Sequence, residues 1–284
     1  MNRALLTLAR AVYRATPFQP LRQLYFDTFA GLVRNRVVRT EVDGAQYELH
    51  LGEMIELALY LRQFEPDVRA AIRRITAPGM TVLDIGANIG AHTLFFASLV
   101  GPQGRIVAFE PMEYAFVKLQ QNVRLNPTLR AEIVRAALAD RSTANRQVNF
   151  RSSWRPDGTR ADHPSTVDFI RLDDWACGHE LSHVDVIKMD VDGNEYGVIT
   201  GGVKTISRSR PTFIMEAAGL HFDDETRNPF AVLTSMGYTL WDLKGERELT
   251  LESLRGLLPR NDPEMTFSMN VIARPEEQRP RSPA

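Results

Sequence analysis

Val82-Leu83-Asp84-Ile85-Gly86-Ala87-Asn88-Ile89-Gly90-Ala91-His92-Thr93 decides the fold: an apolar strand runs through a turn of small residues into a helix. Gly86 and Gly90, with Ala87 between them, leave room for a ligand against the backbone. Asn88 is the non-glycine residue best able to adopt a left-handed conformation. The first turn of the helix offers N–H groups suited to a carboxylate. The same alternation continues on the C-terminal side, with strands expected at 105–109, 133–138, 184–189, 211–215 and 238–243 and helices at 113–125, 195–200 and 229–236. Strands joined by crossover helices define a doubly wound, mostly parallel α/β sheet, Rossmann-like, whose ligand sits at the carboxyl ends of the strands.

On the N-terminal side, 4–33 carries apolar stripes at helical spacing around Pro17 and Pro20, and 37–42 with 46–51 flank Asp43-Gly44 as a β-hairpin expected beside the main sheet. Residues 1–75 therefore form a helical and hairpin extension, and 76–274 the α/β domain. Short strands at 147–150 and 167–172 bracket a polar insertion, 152–165, of the kind that carries specificity. A last strand is expected at 265–273, and the polar, proline-containing 275–284 reads as a disordered tail.

The 284-residue chain has a net charge of -1, which gives no general attraction for nucleic acid or anionic membranes. Residues 1–40 nevertheless hold seven arginines against Asp27, a local +6 that leaves the remainder at -7. These basic helices read as a cap on the core; a basic, apolar-striped helix also suits weak contact with an anionic membrane surface. The acidic remainder argues against a nucleic-acid partner. A single cysteine, Cys177, excludes an internal disulfide and a thiolate-rich zinc site. Arg10 and Arg14 break the first apolar run, so a soluble, cytoplasmic protein is expected.

Phe109-Glu110-Pro111 ends the second strand of the domain, and a carboxylate at Glu110 can accept both hydroxyls of a ribose. A nicotinamide enzyme would want the same acid. The turn discriminates, because the dinucleotide fingerprint needs glycine where Asn88 stands.

Together with Ala137-Leu138-Ala139-Asp140, Leu172-Asp173 and Ile187-Lys188-Met189-Asp190-Val191-Asp192-Gly193-Asn194-Glu195, these segments resemble the FkbM family of class I methyltransferases. The family usually has Glu where Asp192 stands and often His where Asn194 stands. The resemblance implies S-adenosylmethionine as donor, with Asp84, Gly86, Ala87, Asn88 and Gly90 around its methionine part, Glu110 and Pro111 at its ribose and Asp140 on the adenine side. It also implies, as acceptor, a hydroxyl on a glycan or other small molecule.

An alcohol attacks only as its proton leaves, which calls for a general base. Asp190, closing a buried strand at the ligand crevice, is the leading candidate; Glu216, Glu195 and His221 are the next. Asp190, Asp192 and Glu216 could instead gather a divalent cation, but Gly193 turns the chain there and no His or Cys set accompanies them, so no metal is expected. The alternatives to a methyltransferase are a nicotinamide-dependent oxidoreductase and a non-catalytic cofactor-binding interaction module.

Overall fold

The computed structural model describes residues 30–33, 35–151, 162–259 and 267–278. β1 (Val37–Val42) and β2 (Ala45–His50) form the expected hairpin, with Asp43 and Gly44 both at positive φ. α1 (Met54–Leu61) and α2 (Pro66–Ile75) follow. The domain then alternates β3 (Thr81–Ile85), α3 (Ala91–Val100), β4 (Arg105–Phe109), α4 (Glu113–Arg124) and β5 (Glu132–Val134). Three strands form a small separate sheet: β6 (Ala137–Leu138), β7 (Thr143–Arg151) and β8 (Asp162–Ile170). Beyond them lie α5 (Leu172–Gly178), β9 (Val186–Met189), α6 (Glu195–Gly201), α7 (Val203–Ser209) and β10 (Thr212–Ala218). The chain closes with α8 (Pro229–Ser235), β11 (Tyr238–Asp242), β12 (Glu248–Leu249), α9 (Leu251–Leu257) and β13 (Ser268–Pro275).

The central sheet runs β12-β11-β13-β10-β9-β3-β4-β5. β10, β9, β3, β4 and β5 pair in parallel, and β13 enters antiparallel between β10 and β11. Alternation along each strand divides two apolar layers. Leu83, Ile85, Val107, Phe109, Ile187 and Met189 face Trp175, Val198, Ile206 and Phe230. Val82, Ile106, Val186 and Ile214 face Ile72, Phe95 and Phe96. Because β3 is central and covered on both faces, the turn after it opens only at the carboxyl edge, beside the ends of β4 and β9.

The hairpin lies over α3 and α4 rather than beside the main sheet. Tyr47, Leu49 and Leu57 share a core with Ile89, Ala91 and Leu94. Asn122 of α4 and Asn126 just beyond its end bond the β2 backbone: Gln46 N–H donates to Asn126 Oδ1 (2.7 Å), and Glu48 N–H to Asn122 Oδ1 (3.0 Å). The buried Lys118–Glu56 pair, 2.9 Å, ties α4 to α1. The extension thus buttresses the helix that follows the glycine turn.

Several local expectations change. The strand expected at 133–138 divides, because Ala136 N–H turns back to the Val134 carbonyl and Ala137–Leu138 leave to pair with β8. Leu172 starts α5 instead of ending a strand. The tail is ordered through 278: Arg274 and Pro275 pair with Thr239 and Tyr238, and Glu277 forms an ion pair with Arg210. The expected helices over 4–29, most of the 152–165 insertion and residues 279–284 lie outside the described residues. No helix among the described residues is long and apolar enough to cross a membrane.

Candidate functional site

The glycine turn has the expected left-handed backbone, with φ of +80° at Gly86, +49° at Asn88 and +87° at Gly90. Gly86 and Ala87 N–H both donate to the Phe109 carbonyl, fixing the turn against the end of β4. The closest approach comes from the other side. A Cβ at Gly86 would lie 1.8 Å from the Asp190 carbonyl oxygen, so this glycine lets the end of β9 pack on the turn. Ile85 O accepts Asp190 N–H at the same place, which sets the Asp190 side chain at the mouth of the crevice.

Asp84 is wholly buried. Its Oδ2 accepts the Thr93 hydroxyl at 2.6 Å, while Oδ1 has no hydrogen-bond partner in the structure. Glu110 accepts Asn88 N–H on Oε2 and Met112 N–H on Oε1, each at 2.8 Å, with Pro111 bridging β4 to α4. Burial pushes the Glu110 carboxyl up to about 7 despite those two N–H groups. Asp140 stands apart on an exposed loop beside Arg141, and its neighbour Ala139 packs on Gly201.

Asp190, Asp192 and Glu216 each bring a carboxylate oxygen within 4.8 Å of the other two. The three acids gather even though the chain turns at Asp192 (φ +50°) and Gly193, the turn that in the sequence argues against their sharing a face. A divalent cation could bridge such a set, and so could a shared proton. Burial, reinforced by the Asp190 charge, pushes Glu216 up to about 8. Ser268 donates to its Oε1, and its buried Oε2 has no hydrogen-bond partner. Lys188 lies buried behind Asp190, 3.2 Å from Oδ2; burial opposes its charge, but Asp190, Asp84 and Glu65 outweigh that and hold it as an ammonium.

Glu195 and His221, expected as acids or bases at the crevice, instead face one another at 2.7 Å, at 0% and 3% exposure. Neither has an open side. The sequence reading also missed Glu65 and His92. Glu65, at φ +40° before Pro66, meets His92 Nε2 at 2.6 Å at the start of α3. Burial opposes its charge, but the bond and charge of His92 hold it down to about 2. Only its place before a helix-starting proline marked it in sequence. A separate cavity of about 480 Å³, lined by Arg105, Val123, Leu129 and Glu132 among others, lies at the amino ends of β4 and β5, the wrong edge of the sheet for this site.

A central sheet of this order, with a glycine turn after its middle strand and an acid after the next, has the class I methyltransferase architecture. The family described as Methyltransferase FkbM domain matches residues 84–240, and the chain belongs to the FkbM methyltransferases. Among curated relatives it is similar to 2-O-methyltransferase NoeI of Sinorhizobium fredii (strain NBRC 101917 / NGR234), 29% identical over 191 residues that cover 56% of this chain and 76% of that protein. It is 31% identical over 94 residues to tRNA (adenine(58)-N(1))-methyltransferase TrmI of Thermus thermophilus, covering 31% of this chain and only 36% of that protein. A solved structure of methyltransferase FkbM from Methylobacillus flagellatus KT superposes with a TM-score of 0.40 at 15% identity, over 77% of this chain and 54% of that one.

S-adenosylmethionine is the methyl donor. The residues present fit it. Asp84 Oδ1 is a buried acceptor that still needs a donor, Glu110 can take ribose hydroxyls on its remaining lone pairs, and the crevice gathers more carboxylates than ammonium groups, as a cationic donor requires.

Proposed function

We propose that this methyltransferase transfers the donor methyl to a hydroxyl oxygen on a glycan or other small molecule, with the acceptor proton passing to the carboxylates of Asp190 and Glu216. The observation that carries this reading is the meeting of those carboxylates at the ends of β9 and β10, with the Asp190 backbone pressed on the glycine turn.

When bound, S-adenosylmethionine supplies an electrophilic methyl on a sulfonium. Transfer of that methyl to an acceptor oxygen would depend chiefly on how the two are placed, so placement is what this chain supplies. Glu110 would hold the ribose and Asp84 the methionine end, with Asp140, on its exposed loop, towards the adenine side. Asp190 takes the hydroxyl hydrogen bond. Glu216, whose affinity for a proton is raised into the neutral range, accepts the proton as the oxygen–carbon bond forms. Lys188 orients Asp190 through its 3.2 Å contact with Oδ2.

The likeness to a 2-O-methyltransferase supports an oxygen acceptor. A cytoplasmic site of action and weak membrane contact through the basic N-terminal segment belong to the same proposal. The test is transfer of radiolabelled methyl from S-adenosylmethionine to a panel of methyl glycosides and hydroxylated natural products, with tRNA as the contrasting acceptor. Label on a hydroxyl oxygen is expected; label on RNA alone, or on nitrogen alone, would overturn the reading.

A further inference from the structure

The loops after β9 and β10 are joined through one buried pair of side chains. Glu195 Oε1 accepts Val191 N–H at 3.2 Å, in the loop that carries Asp190 and Asp192. Its Oε2 lies 2.7 Å from His221 Nε2. His221 belongs to the turn Gly219–Phe222 that leaves β10, and its Nδ1 accepts Ala218 N–H at 3.0 Å, two residues beyond Glu216. Since Nδ1 accepts, the ring proton sits on Nε2 and is directed at Glu195. Phe230 of α8 meets the ring edge-on at 5.7 Å. The loops touch a second time where Leu220 Cδ1 comes within 3.2 Å of the Cβ position of Gly193.

We infer that Glu195 and His221 are a positioning pair, which locks the Asp190 loop to the Glu216 strand end so that the two carboxylates keep their spacing. The inference rests on the reading that those carboxylates take the acceptor proton. Neither member of the pair moves a proton itself, because both ring nitrogens and both carboxylate oxygens are already engaged in the interior. Glu195 receives only N–H donors, so even an isosteric amide at this position sets one N–H against another.

The test uses the full-length protein and two histidine variants. His221→Asn keeps an acceptor for Ala218 N–H but is too short to reach Glu195; His221→Gln keeps an N–H directed at Glu195. Amide exchange by mass spectrometry is expected to quicken in His221→Asn across residues 190–195, on the far side of the gap, and to return towards wild type in His221→Gln. Turnover on a methyl glycoside at saturating donor is expected to fall roughly 10- to 100-fold in His221→Asn, with calorimetric S-adenosylmethionine affinity kept within about twofold. Adding Glu195→Gln to His221→Asn is expected to cost no more than the worse single change. Faster exchange confined to 217–222, or losses that multiply in the double variant, overturns the inference. Full turnover in both Asp190→Asn and Glu216→Gln would sink the proton-transfer reading alone, since exchange across the gap involves neither acceptor nor base.

Discussion

Replacing Gly86 with alanine separates two penalties that arise at different glycines of this fold. Gly79 and Gly86 share a left-handed backbone, φ +85° and +80°, but a Cβ at Gly79 meets nothing within 4 Å whereas one at Gly86 would stand 1.8 Å from the Asp190 carbonyl oxygen. Gly79→Ala therefore carries only the backbone strain, about 1–2 kcal/mol. Gly86→Ala carries that strain plus the cost of forcing β9 away from the turn, about 1–3 kcal/mol more by analogy with overpacked cores. At roughly 2–4 °C per kcal/mol for a domain of this size, Gly79→Ala should melt about 2–8 °C below the wild type and Gly86→Ala about 4–20 °C below. The two also differ at the site. Displacing Asp190 and the turn should remove calorimetric binding of S-adenosylmethionine in Gly86→Ala, while Gly79→Ala binds normally. A Gly86→Ala protein that melts with Gly79→Ala and binds donor at wild-type affinity would refute the argument.

Glu110→Ala should weaken donor binding more than it slows turnover at saturating donor, because a ribose contact is present in ground and transition states alike. Burial raises the Glu110 carboxyl to about 7 before the donor arrives, and ribose hydroxyls favour its ionised form; calorimetric affinity should therefore decline as pH falls below about 7 in the wild type and lose that dependence in Glu110→Ala. Asp190→Asn should lower turnover roughly 10²-fold with donor affinity kept. Metal-free transfer also predicts wild-type turnover indifferent to a chelator, whereas loss restored by magnesium would place a cation among Asp190, Asp192 and Glu216. Glu216 binds its proton more tightly folded, at about 8 against an ordinary 4.5, so its contribution to stability is complete below about 4.5 and is lost as pH rises through 8. Melting curves of Glu216→Gln should accordingly gain on the wild type as pH rises across that interval, and an unchanged difference would argue against a buried, crowded carboxyl.

The sequence by itself determined the parallel core of the sheet and the glycine turn after its middle strand. Asp84 to Thr93 reads as strand, turn and helix because each step is local: apolar alternation, then residues free to take positive φ, then a helical run. The hairpin at Asp43-Gly44 was legible for the same reason. Helices α1, α2, α5, α7 and α9 were missed, being short pieces whose helicity depends on the surface they cover.

Only the tertiary structure decided how the acids divide. Asp190, Glu195, Glu216 and His221 all stand near strand ends in sequence, and nothing local separates them. Parallel pairing of β9 with β10 in one register, Met189 opposite Met215, brings Asp190 and Glu216 together, while α6 and the turn after β10 fold Glu195 and His221 inward upon each other. It also assigned Gly86 its tightest neighbour, a carbonyl about a hundred residues away that no local pattern could anticipate. The physical reason is the same in each case: local conformation follows from a residue and its chain neighbours, whereas burial, proton affinity and orientation follow from groups brought close only by the packing of the sheet.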